Sequence, residues 1–489
     1  MSAASRSARP LRIVIIGAGM AGILSAIKLR EAGFDDFVLY EKAARLGGTW
    51  RENTYPGIAC DVPAHLYTYS FEPNPDWSHV FAPGDEIQRY FERVADKYGV
   101  TASIRCGVEV QRCEFIEGRW QLHLGNGATD TADIVIAASG VLHHPNLPDI
   151  PGLDCFGGAS FHSAQWDHAV PLDGRRVGVI GTGSTAIQIT SALAARVARF
   201  TLFQRTAQWI APIENPPYSA EERAAFARDP SLIEKLRRDI DKAAIEKISN
   251  AVIDAESPEM KKIEAMCRAN LERHVHDPVL REKLRPNYRA ACKRLIFSSD
   301  FYTAIQHPNA ELVTDAMERV EAGGVRTRDG RLHELDVLVL ATGFRADRFI
   351  RPTVVRGRHG VVLDDVWADH PTAYLSLSVP GFPNFFLLNG PNGPVGNFSL
   401  IQIAELQIGY VLQLMTHIRD GHCREISASA AATRAFDVER IEAAKKSIWA
   451  TGCKSWYLDR NGVPASWPWT YTRFEDEMST PKLEAYDLN

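Results

Sequence analysis

A glycine-rich turn near the amino terminus constrains the fold of this chain more than any other feature. Residues 12–16 (RIVII) are a short apolar run rich in β-branched side chains, which is typical of a buried strand. Gly17, Gly19 and Gly22 follow in the spacing G-x-G-x-x-G, and residues 23–30 then have the composition of a helix. In such a dinucleotide-binding unit the first glycine permits the tight turn, the second lets the backbone approach a pyrophosphate, and the third lets the helix pack closely on the strand.

The residues that follow indicate which nucleotide this unit binds. Residues 37–40 (FVLY) predict a second strand, which ends at Glu41, about 20 residues after the glycines, where a carboxylate accepts a hydrogen bond from a ribose 2′-hydroxyl. A second glycine turn, residues 47–50 (GGTW), comes soon afterwards. An NAD domain has no need of this turn, whereas FAD has a longer body to cover. We therefore predict that this unit, including Gly48, binds FAD.

The same pattern occurs again later in the chain. Residues 176–180 (RVGVI) predict a strand, and Arg205 ends the strand predicted at residues 201–204. Arg205 thus holds the place that Glu41 holds in the first unit. A carboxylate there binds a ribose 2′-hydroxyl, whereas an arginine accommodates a 2′-phosphate, so the second nucleotide is predicted to be NADP. The alternative for Arg205, taken alone, is an arginine at a solvated strand end. The predicted contacts in this unit are Gly181, Thr182, Gly183, Ser184, Thr185, Arg205 and Thr206.

The two units divide the 489 residues into domains. The predicted fold class is α/β, with two Rossmann-like dinucleotide-binding domains. Residues 1–150 and 341–489 are predicted to form the FAD-binding domain, and residues 151–340 the NADP-binding domain. Residues of about 213–290 are charged and rich in alanine, which predicts a helical insertion in the second domain. A solvated helical cover and a lid over a substrate pocket both explain this insertion.

Composition excludes several other functions. The formal net charge is -5, so nucleic-acid binding has no electrostatic basis. No apolar run is long enough to cross a membrane. The eight cysteines are scattered without a C-x-x-C pair, which argues against a disulfide-reductase relative and against a zinc site. A reducing compartment, the cytoplasm, is the simplest interpretation, and no metal site is predicted.

Two longer segments carry a family resemblance. Residues 156–167 (FGGASFHSAQWD) resemble the fingerprint of type I Baeyer–Villiger monooxygenases, and the stretch from the second glycine turn to Asp61 resembles the family's other fingerprint. Both nucleotide turns and both fingerprints occur in the family's order, so the resemblance covers nearly the whole chain. His162 and Trp166 lie in the first fingerprint, and we assign them structural roles.

The resemblance implies a mechanism. NADPH reduces FAD, and the reduced flavin takes up oxygen as a peroxyflavin while NADP stays bound. The peroxide then attacks a ketone carbonyl, and carbon migrates to oxygen to give an ester or lactone. Such chemistry needs a fixed cation beside a developing anion, in a site that excludes water.

The resemblance also assigns site residues. Arg294, in the sequence CKRL, matches the family's active-site arginine, and Asp61 matches the aspartate that hydrogen-bonds it near the flavin. Lys293 matches a residue near the 2′-phosphate of NADP, and Trp456 matches a tail residue that closes on bound NADP. The implied flavin contacts are Thr49, Trp50 and Tyr67.

Several alternatives stay open. Residues 390–398 (GPNGPVGNF) are expected to line the substrate site but match no preference, so linear, cyclic, aryl and steroidal ketones, and also sulfides, are candidate substrates. An N- or S-oxygenating flavin monooxygenase shares both nucleotide domains. A non-catalytic NADPH-binding sensor is the alternative from another class. The sequence does not give the oligomeric state.

Overall fold

Two parallel five-stranded sheets form the framework of the protein, whose computed structural model describes residues 10–396 and 398–489. The central strand of the first sheet, Ile13–Ile16, pairs in parallel with Phe37–Glu41 on one side and Ile134–Ala137 on the other. Its edge strands are Ile104–Cys106 and Phe385–Leu387. The last of these comes from the carboxyl-terminal part of the chain, which therefore returns to complete the first sheet.

The second sheet is built from the middle of the chain. Arg176–Ile180 is its central strand and lies between Arg199–Phe203 and Val337–Leu340. The edge strands are Ala310–Val313 and Ala159–His162. All four pairings are parallel, and the central strands are buried, as expected for sheets covered on both faces. Together the two sheets confirm the predicted α/β fold with two dinucleotide-binding domains.

Helices cover the two large sheets, and the described residues also form four smaller sheets. The α-helices are Met20–Glu31, Thr49–Glu52, Gly84–Lys97, Ser184–Leu193, Ala220–Arg228, Pro230–Ala244, Pro258–His274, Pro278–Lys283, Phe301–Ala304, Leu363–Val366, Leu400–Arg419, Ala430–Ala444 and Tyr471–Ser479. The strands of the smaller sheets are Val110–Ile116, Arg119–Leu124, Thr129–Ala132 and Val354–Arg356; Met317–Glu321, Gly324–Thr327 and Leu332–Glu334; Ile210–Ala211 with Ile296–Phe297; and Ile426–Ala428 with Tyr486–Leu488. No helix in the described ranges has the length and apolar character that spanning a bilayer requires.

The two connections between the sheets run side by side. The backbone N–H of Asn146 donates to the carbonyl of Gly343 at 2.8 Å, and that of Arg345 donates to His144 at 2.9 Å. The chain thus leaves the first sheet and returns to it through one pair of antiparallel segments. The domain limits given above stay a prediction, although both crossings lie close to them.

The predicted insertion is helical and rests on the first domain. The guanidinium of Arg237 donates to the carbonyl of Thr68 at 3.0 Å, and the ring of Phe226 lies 5.0 Å from that of His65. The backbone N–H of Tyr218 donates to Ser78 at 2.8 Å. These helices therefore do more than cover a solvated face, because one side of them packs on residues 65–79.

One feature contradicts the expectation that all eight cysteines are reduced. Cys292 and Cys453 form a disulfide with their Cα atoms 6.2 Å apart, and 161 residues separate them in the chain. The other six cysteines are free. The sequence holds no signal for this pair, because only the fold brings two distant cysteines together.

Candidate active site

The first glycine turn has the geometry of a phosphate cradle. Gly17 has φ +101°, and a Cβ there would lie 2.7 Å from the carbonyl oxygen of Ala138. A Cβ at Gly22 would lie 2.0 Å from the carbonyl oxygen of Gly17. At Gly19 the nearest atom to an added Cβ is 3.5 Å away, on Gly48. Packing within the protein therefore requires glycine at positions 17 and 22, whereas at Gly19 the bare backbone leaves room for a ligand.

The two glycine turns of the first domain face each other. The backbone N–H of Gly47 donates to the carbonyl of Ala18 at 2.9 Å, and a Cβ at Gly48 would lie 3.2 Å from the Cα of Gly19. The helix Met20–Glu31 begins here without a side-chain cap, so its first N–H groups are free to bind an anion. This arrangement fits the pyrophosphate of FAD.

The carboxylate of Glu41 is hydrogen-bonded to the backbone of the first glycine turn. One carboxylate oxygen accepts from the N–H of Ala18 and the other from the N–H of Ala43, both at 2.9 Å. Arg51 pairs with the same carboxylate at 3.2 Å. Glu41 thus orients the glycine turn itself, a role that the sequence did not indicate. The contact predicted between Glu41 and a ribose hydroxyl stays a prediction.

The predicted flavin contacts lie together. The indole N–H of Trp50 donates to the hydroxyl of Tyr67 at 3.1 Å, and their rings meet edge to face at 5.6 Å. Burial raises the pKa of Tyr67, so its hydroxyl stays protonated. Thr49 begins the short helix Thr49–Glu52 directly after the second glycine turn. These three side chains therefore extend the cradle along one side.

The glycine turn of the second domain, residues 181–183, repeats the design of the turn at residues 17–22. Gly181 has φ +128°, and a Cβ there would lie 2.2 Å from the carbonyl oxygen of Ala341, whereas a Cβ at Gly183 would meet nothing within 4 Å. The helix Ser184–Leu193 starts at this turn without a side-chain cap. The hydroxyl of Thr182 donates to the carbonyl of Thr206 at 2.7 Å, which holds the turn to the end of the next strand. The turn fits a second pyrophosphate.

Two cations lie near this turn without a carboxylate partner. Arg205 is exposed, and the ammonium of Lys293 lies 4.7 Å from the ring centroid of Tyr288. Burial and the neighbouring Arg205 both lower the pKa of Lys293. Within the described ranges neither cation has an acidic side chain within 4.0 Å. Two like charges left unneutralised in one place favour a phosphate ligand.

Arg294 and Asp61 form the ion pair that the resemblance implies. The guanidinium donates from Nη2 to Asp61 Oδ2 at 2.6 Å and from Nε to the same oxygen at 3.2 Å. Burial opposes the charge, but Asp61 and Tyr457 favour it, so the pKa of Arg294 lies above its ordinary value. The side chain of Arg294 is 29% exposed, which leaves part of a permanent cation open to a ligand.

The sequence did not indicate two further neighbours of Arg294. Arg294 Nη1 donates to the carbonyl of Gly396 at 2.7 Å, and the phenol of Tyr457 lies against Gly396, where it favours the charge of the guanidinium. Their signals were weak: Gly396 lies in the loop expected to line the substrate site, and Tyr457 follows Trp456. Trp456 itself is 49% exposed, and its predicted contact with NADP stays a prediction.

A second missed contact joins the two cofactor sites. The hydroxyl of Tyr55 donates to Gln188 Oε1 at 2.9 Å, and Gln188 Nε2 donates to the carbonyl of Ala59 at 3.0 Å. A Cβ at Gly57 would lie 2.7 Å from the backbone oxygen of Gln188. The loop that ends at Asp61 is therefore packed on the helix Ser184–Leu193, which follows the glycine turn of the second domain.

The histidine of the first fingerprint has a structural environment. His162 is buried, its Nε2 lies 3.1 Å from the carbonyl oxygen of Gly343, and its Nδ1 accepts from the N–H of Ala164. Trp166 is likewise buried and packs on Phe161 with ring centroids 5.0 Å apart. These contacts agree with the structural roles assigned above, since they tie the fingerprint to the returning crossing near residue 343.

Comparison with known proteins identifies the family. A family model described as pyridine nucleotide-disulphide oxidoreductase matches residues 14–255. An uncharacterized monooxygenase of Mycobacterium tuberculosis is 45% identical over 478 residues, which cover 97% of this chain and 96% of that protein. A Baeyer–Villiger monooxygenase of Streptomyces coelicolor is 38% identical over 483 residues, which cover 98% and 92%. The chain belongs to the type I Baeyer–Villiger monooxygenase family.

The solved structures agree with this assignment. The structure of OTEMO in complex with FAD and NADP superposes with a TM-score of 0.88 at 28% identity, covering 99% of this chain and 100% of that one. The predicted family, enzyme class and pair of cofactors are thereby confirmed at the level of the Baeyer–Villiger monooxygenases. The absence of a C-x-x-C pair in the chain means that the match to the broader oxidoreductase model concerns nucleotide binding.

Proposed function

We propose that this protein is an NADPH-consuming FAD monooxygenase that inserts one oxygen atom of O2 beside a ketone carbonyl to give an ester or lactone. The single observation that carries the proposal is the placement of Arg294. Asp61 fixes this cation at 2.6 Å, and the loop that ends at Asp61 packs on the helix Ser184–Leu193 through Gln188. The Streptomyces coelicolor relative, which is named a Baeyer–Villiger monooxygenase, and the FAD and NADP bound by OTEMO support the proposal.

The chain's residues divide the binding of the two cofactors. The backbone around Gly19 and Gly48 would hold the pyrophosphate of FAD, with Trp50 and Tyr67 beside its ring system. The turn from Gly181 to Thr185 would hold the pyrophosphate of NADP. Arg205 and Lys293 would bind the 2′-phosphate, which distinguishes NADPH from NADH.

Arg294 would supply the electrostatic part of catalysis. When bound, FAD reduced by NADPH supplies the activated oxygen. Negative charge then develops on the carbonyl oxygen of the ketone, and the guanidinium stabilises it. Because Asp61 and Gly396 already hold the guanidinium, no reorganisation is needed during the reaction. A preorganised donor of this kind contributes roughly 10²–10³ in rate.

The alternatives are less favoured. An N- or S-oxygenating monooxygenase does not need a cation held beside a developing oxyanion, and a non-catalytic sensor does not need the pair of Arg294 and Asp61. Oxidation of soft sulfides as a side reaction fits the proposal. With a net charge of -5, no nucleic-acid partner is proposed.

We place the enzyme in the cytoplasm, in keeping with its six free cysteines. The disulfide between Cys292 and Cys453 is compatible with that compartment because both residues are buried, and thiol exchange requires access to the sulfur atoms.

A panel of ketones and sulfides tests the proposal. The purified protein is loaded with FAD and incubated with NADPH and air, and products are identified by mass spectrometry. We expect at least one linear, cyclic, aryl or steroidal ketone to give an ester or lactone. A protein that oxygenates sulfides or amines but converts no ketone would favour the N- or S-oxygenating alternative. Loss of all NADPH-dependent oxygen uptake would favour the sensor.

A further inference from the structure

Tyr457 is the third neighbour of Arg294, after Asp61 and Gly396. The tyrosine is 4% exposed, and its phenol lies next to Gly396, the residue whose carbonyl accepts from Arg294. The hydroxyl also requires glycine at position 396, because a Cβ added to Gly396 would lie 2.0 Å from the Tyr457 hydroxyl oxygen. Gly396 in turn accepts from Arg294 at 2.7 Å. The hydroxyl of Tyr457 therefore occupies the space that glycine leaves free at position 396, directly beside the guanidinium.

The disulfide anchors the segment that carries Tyr457. Cys453 precedes Tyr457 by four residues, and Cys292 precedes Arg294 by two. The bridge between them fixes the two segments to each other with a Cα–Cα distance of 6.2 Å. The ring of Tyr457 also packs on Trp449 at 5.3 Å. Both ends of the contact between Tyr457 and Arg294 are thus attached to one covalent crosslink.

We propose that Tyr457 is a positioning residue for Arg294 and that the Cys292–Cys453 disulfide holds it in place. The inference rests on the proposed function, since it concerns how Arg294 is oriented for oxygen transfer. A phenol suits this role physically. Asp61 already offsets part of the positive charge, and a second carboxylate would cancel it, whereas a neutral hydroxyl fixes the plane of the guanidinium and leaves its charge available.

The first test is Tyr457→Phe, which keeps the ring and removes only the hydroxyl. We expect the ester formed per NADPH to fall by about tenfold to a hundredfold, the loss typical of a misplaced catalytic group. The KM for the ketone and the rate of flavin reduction should stay near those of the wild type. Peroxide release measured without ketone should rise. Tyr410→Phe, which removes the hydroxyl partner of Tyr486 in the first domain, is the matched control, and its product yield should not change.

The second test breaks the crosslink. Denatured wild type should show six thiols before dithiothreitol and eight after it, as the bridge becomes two thiols and the reagent becomes its cyclic disulfide. The reduced enzyme, freed of reagent, should shift from ester towards peroxide in the same direction as Tyr457→Phe. Cys453→Ser should show that shift without any reductant, and dithiothreitol should not change it further.

The outcomes separate the two claims. A Tyr457→Phe enzyme with wild-type product yield and wild-type peroxide release would overturn the role of Tyr457. An unaltered Cys453→Ser enzyme, or eight thiols before reduction, would overturn the role of the disulfide. A wild type that converts no ketone contradicts the proposed function instead, and the peroxide release without ketone still reports on Tyr457. Equal thermal unfolding of Tyr457→Phe and Tyr410→Phe shows that a change in activity is not a loss of fold.

Discussion

At the scale of single residues, we predict that Arg294 separates oxygenation from flavin reduction. Arg294→Ala should still bind FAD and accept hydride from NADPH, because both phosphate cradles are intact. Ester formation should fall by about 10²–10³, the effect of removing one preorganised donor, with oxygen leaving as hydrogen peroxide. Arg294→Lys should not restore it, because the planar fork that pairs with Asp61 is lost.

The measurement is ester and peroxide together, per NADPH consumed. Arg289→Ala is the matched control, since Arg289 lies five residues earlier and pairs with Glu264 at 2.7 Å, away from Asp61. An alanine variant at position 294 that gives near wild-type ester would make Arg294 structural.

Arg205 should set the preference for NADPH over NADH. A hydrogen bond to a charged group contributes roughly 1.5–3 kcal/mol, so Arg205→Ala should weaken NADPH binding by about one to two powers of ten. NADH binding should change little, because it lacks the 2′-phosphate. Titration with both cofactors checks this, with Arg196→Ala, an exposed arginine paired with Asp173, as control. Equal losses for both cofactors would remove the 2′-phosphate assignment.

The sequence predicted those site residues that belong to a local motif or to a family motif. It did not predict the residues that only the fold brings to the site. Arg294 and Asp61 were predicted from the resemblance, and the structure brings them to 2.6 Å. Tyr457 and Gly396 were not predicted as partners of Arg294, because contacts across more than a hundred residues have no pattern in one sequence. Glu41 was predicted to face a ribose, yet both of its oxygens also hold backbone N–H groups, a role invisible without coordinates.

At the scale of elements, the two glycine turns should serve different nucleotides. An added Cβ at Gly19 or Gly183 meets no protein atom closer than 3.5 Å, so Gly19→Val and Gly183→Val should fold. Gly19→Val should fail to retain FAD, because the backbone no longer approaches the pyrophosphate. Gly183→Val should stay yellow but be reduced poorly by NADPH. Flavin absorbance per protein and stopped-flow reduction measure the two effects, and a folded but colourless Gly183 variant would reverse the assignment.

The helix Ala430–Ala444 anchors the carboxyl-terminal segment through a buried arginine. Arg440 is 1% exposed, pairs with Asp437 at 2.7 Å and donates to the carbonyl of Pro464. Arg440→Met should lower the free energy of unfolding by about 3 kcal/mol, because it leaves a largely buried carboxylate with one partner fewer. Lys445→Met, which removes only an exposed pair with Glu442, should lower the free energy of unfolding by roughly 0.3–0.5 kcal/mol.

The remaining partner of Asp437 makes this loss depend on pH. The hydrogen bond to Asp437 raises the pKa of His370, so the charged pair contributes fully below about pH 6.5 and is lost as the pH rises through the folded-state pKa. The defect of Arg440→Met should therefore be larger at pH 8 than at pH 6. Thermal unfolding at the two pH values measures it, and an equal defect at both would contradict the coupling.

The sequence predicted whether a segment is a helix or a strand better than it predicted the residues at which the segment begins and ends. The runs at residues 12–16 and 176–180 are strands because a continuous β-branched stretch fits a sheet buried on both faces. The helix after the first turn begins earlier than its composition indicated, at Met20 and not at residue 23, since the glycine turn passes directly into the helix.

At the scale of the whole molecule, the candidate active site is assembled from four distant parts of the chain. The loop ending at Asp61, the segment from Cys292 to Arg294, the loop at Gly396 and the tail at Tyr457 meet at one guanidinium. Composition and motifs predicted the two domains that these parts connect. Composition and motifs did not predict that the four parts meet at Arg294. Their meeting depends on the packing of the loop before Asp61 on the helix Ser184–Leu193.

Isotope labelling of the product tests the central claim most directly. The enzyme loaded with FAD is given NADPH, 18O2 and the best ketone of the panel in unlabelled water, and the product is analysed by mass spectrometry. We predict an ester or lactone that carries one 18O atom in its newly formed ring or chain position, with the carbonyl oxygen unlabelled. A product without 18O, or a ketone recovered unchanged while NADPH is consumed and peroxide accumulates, would contradict the account.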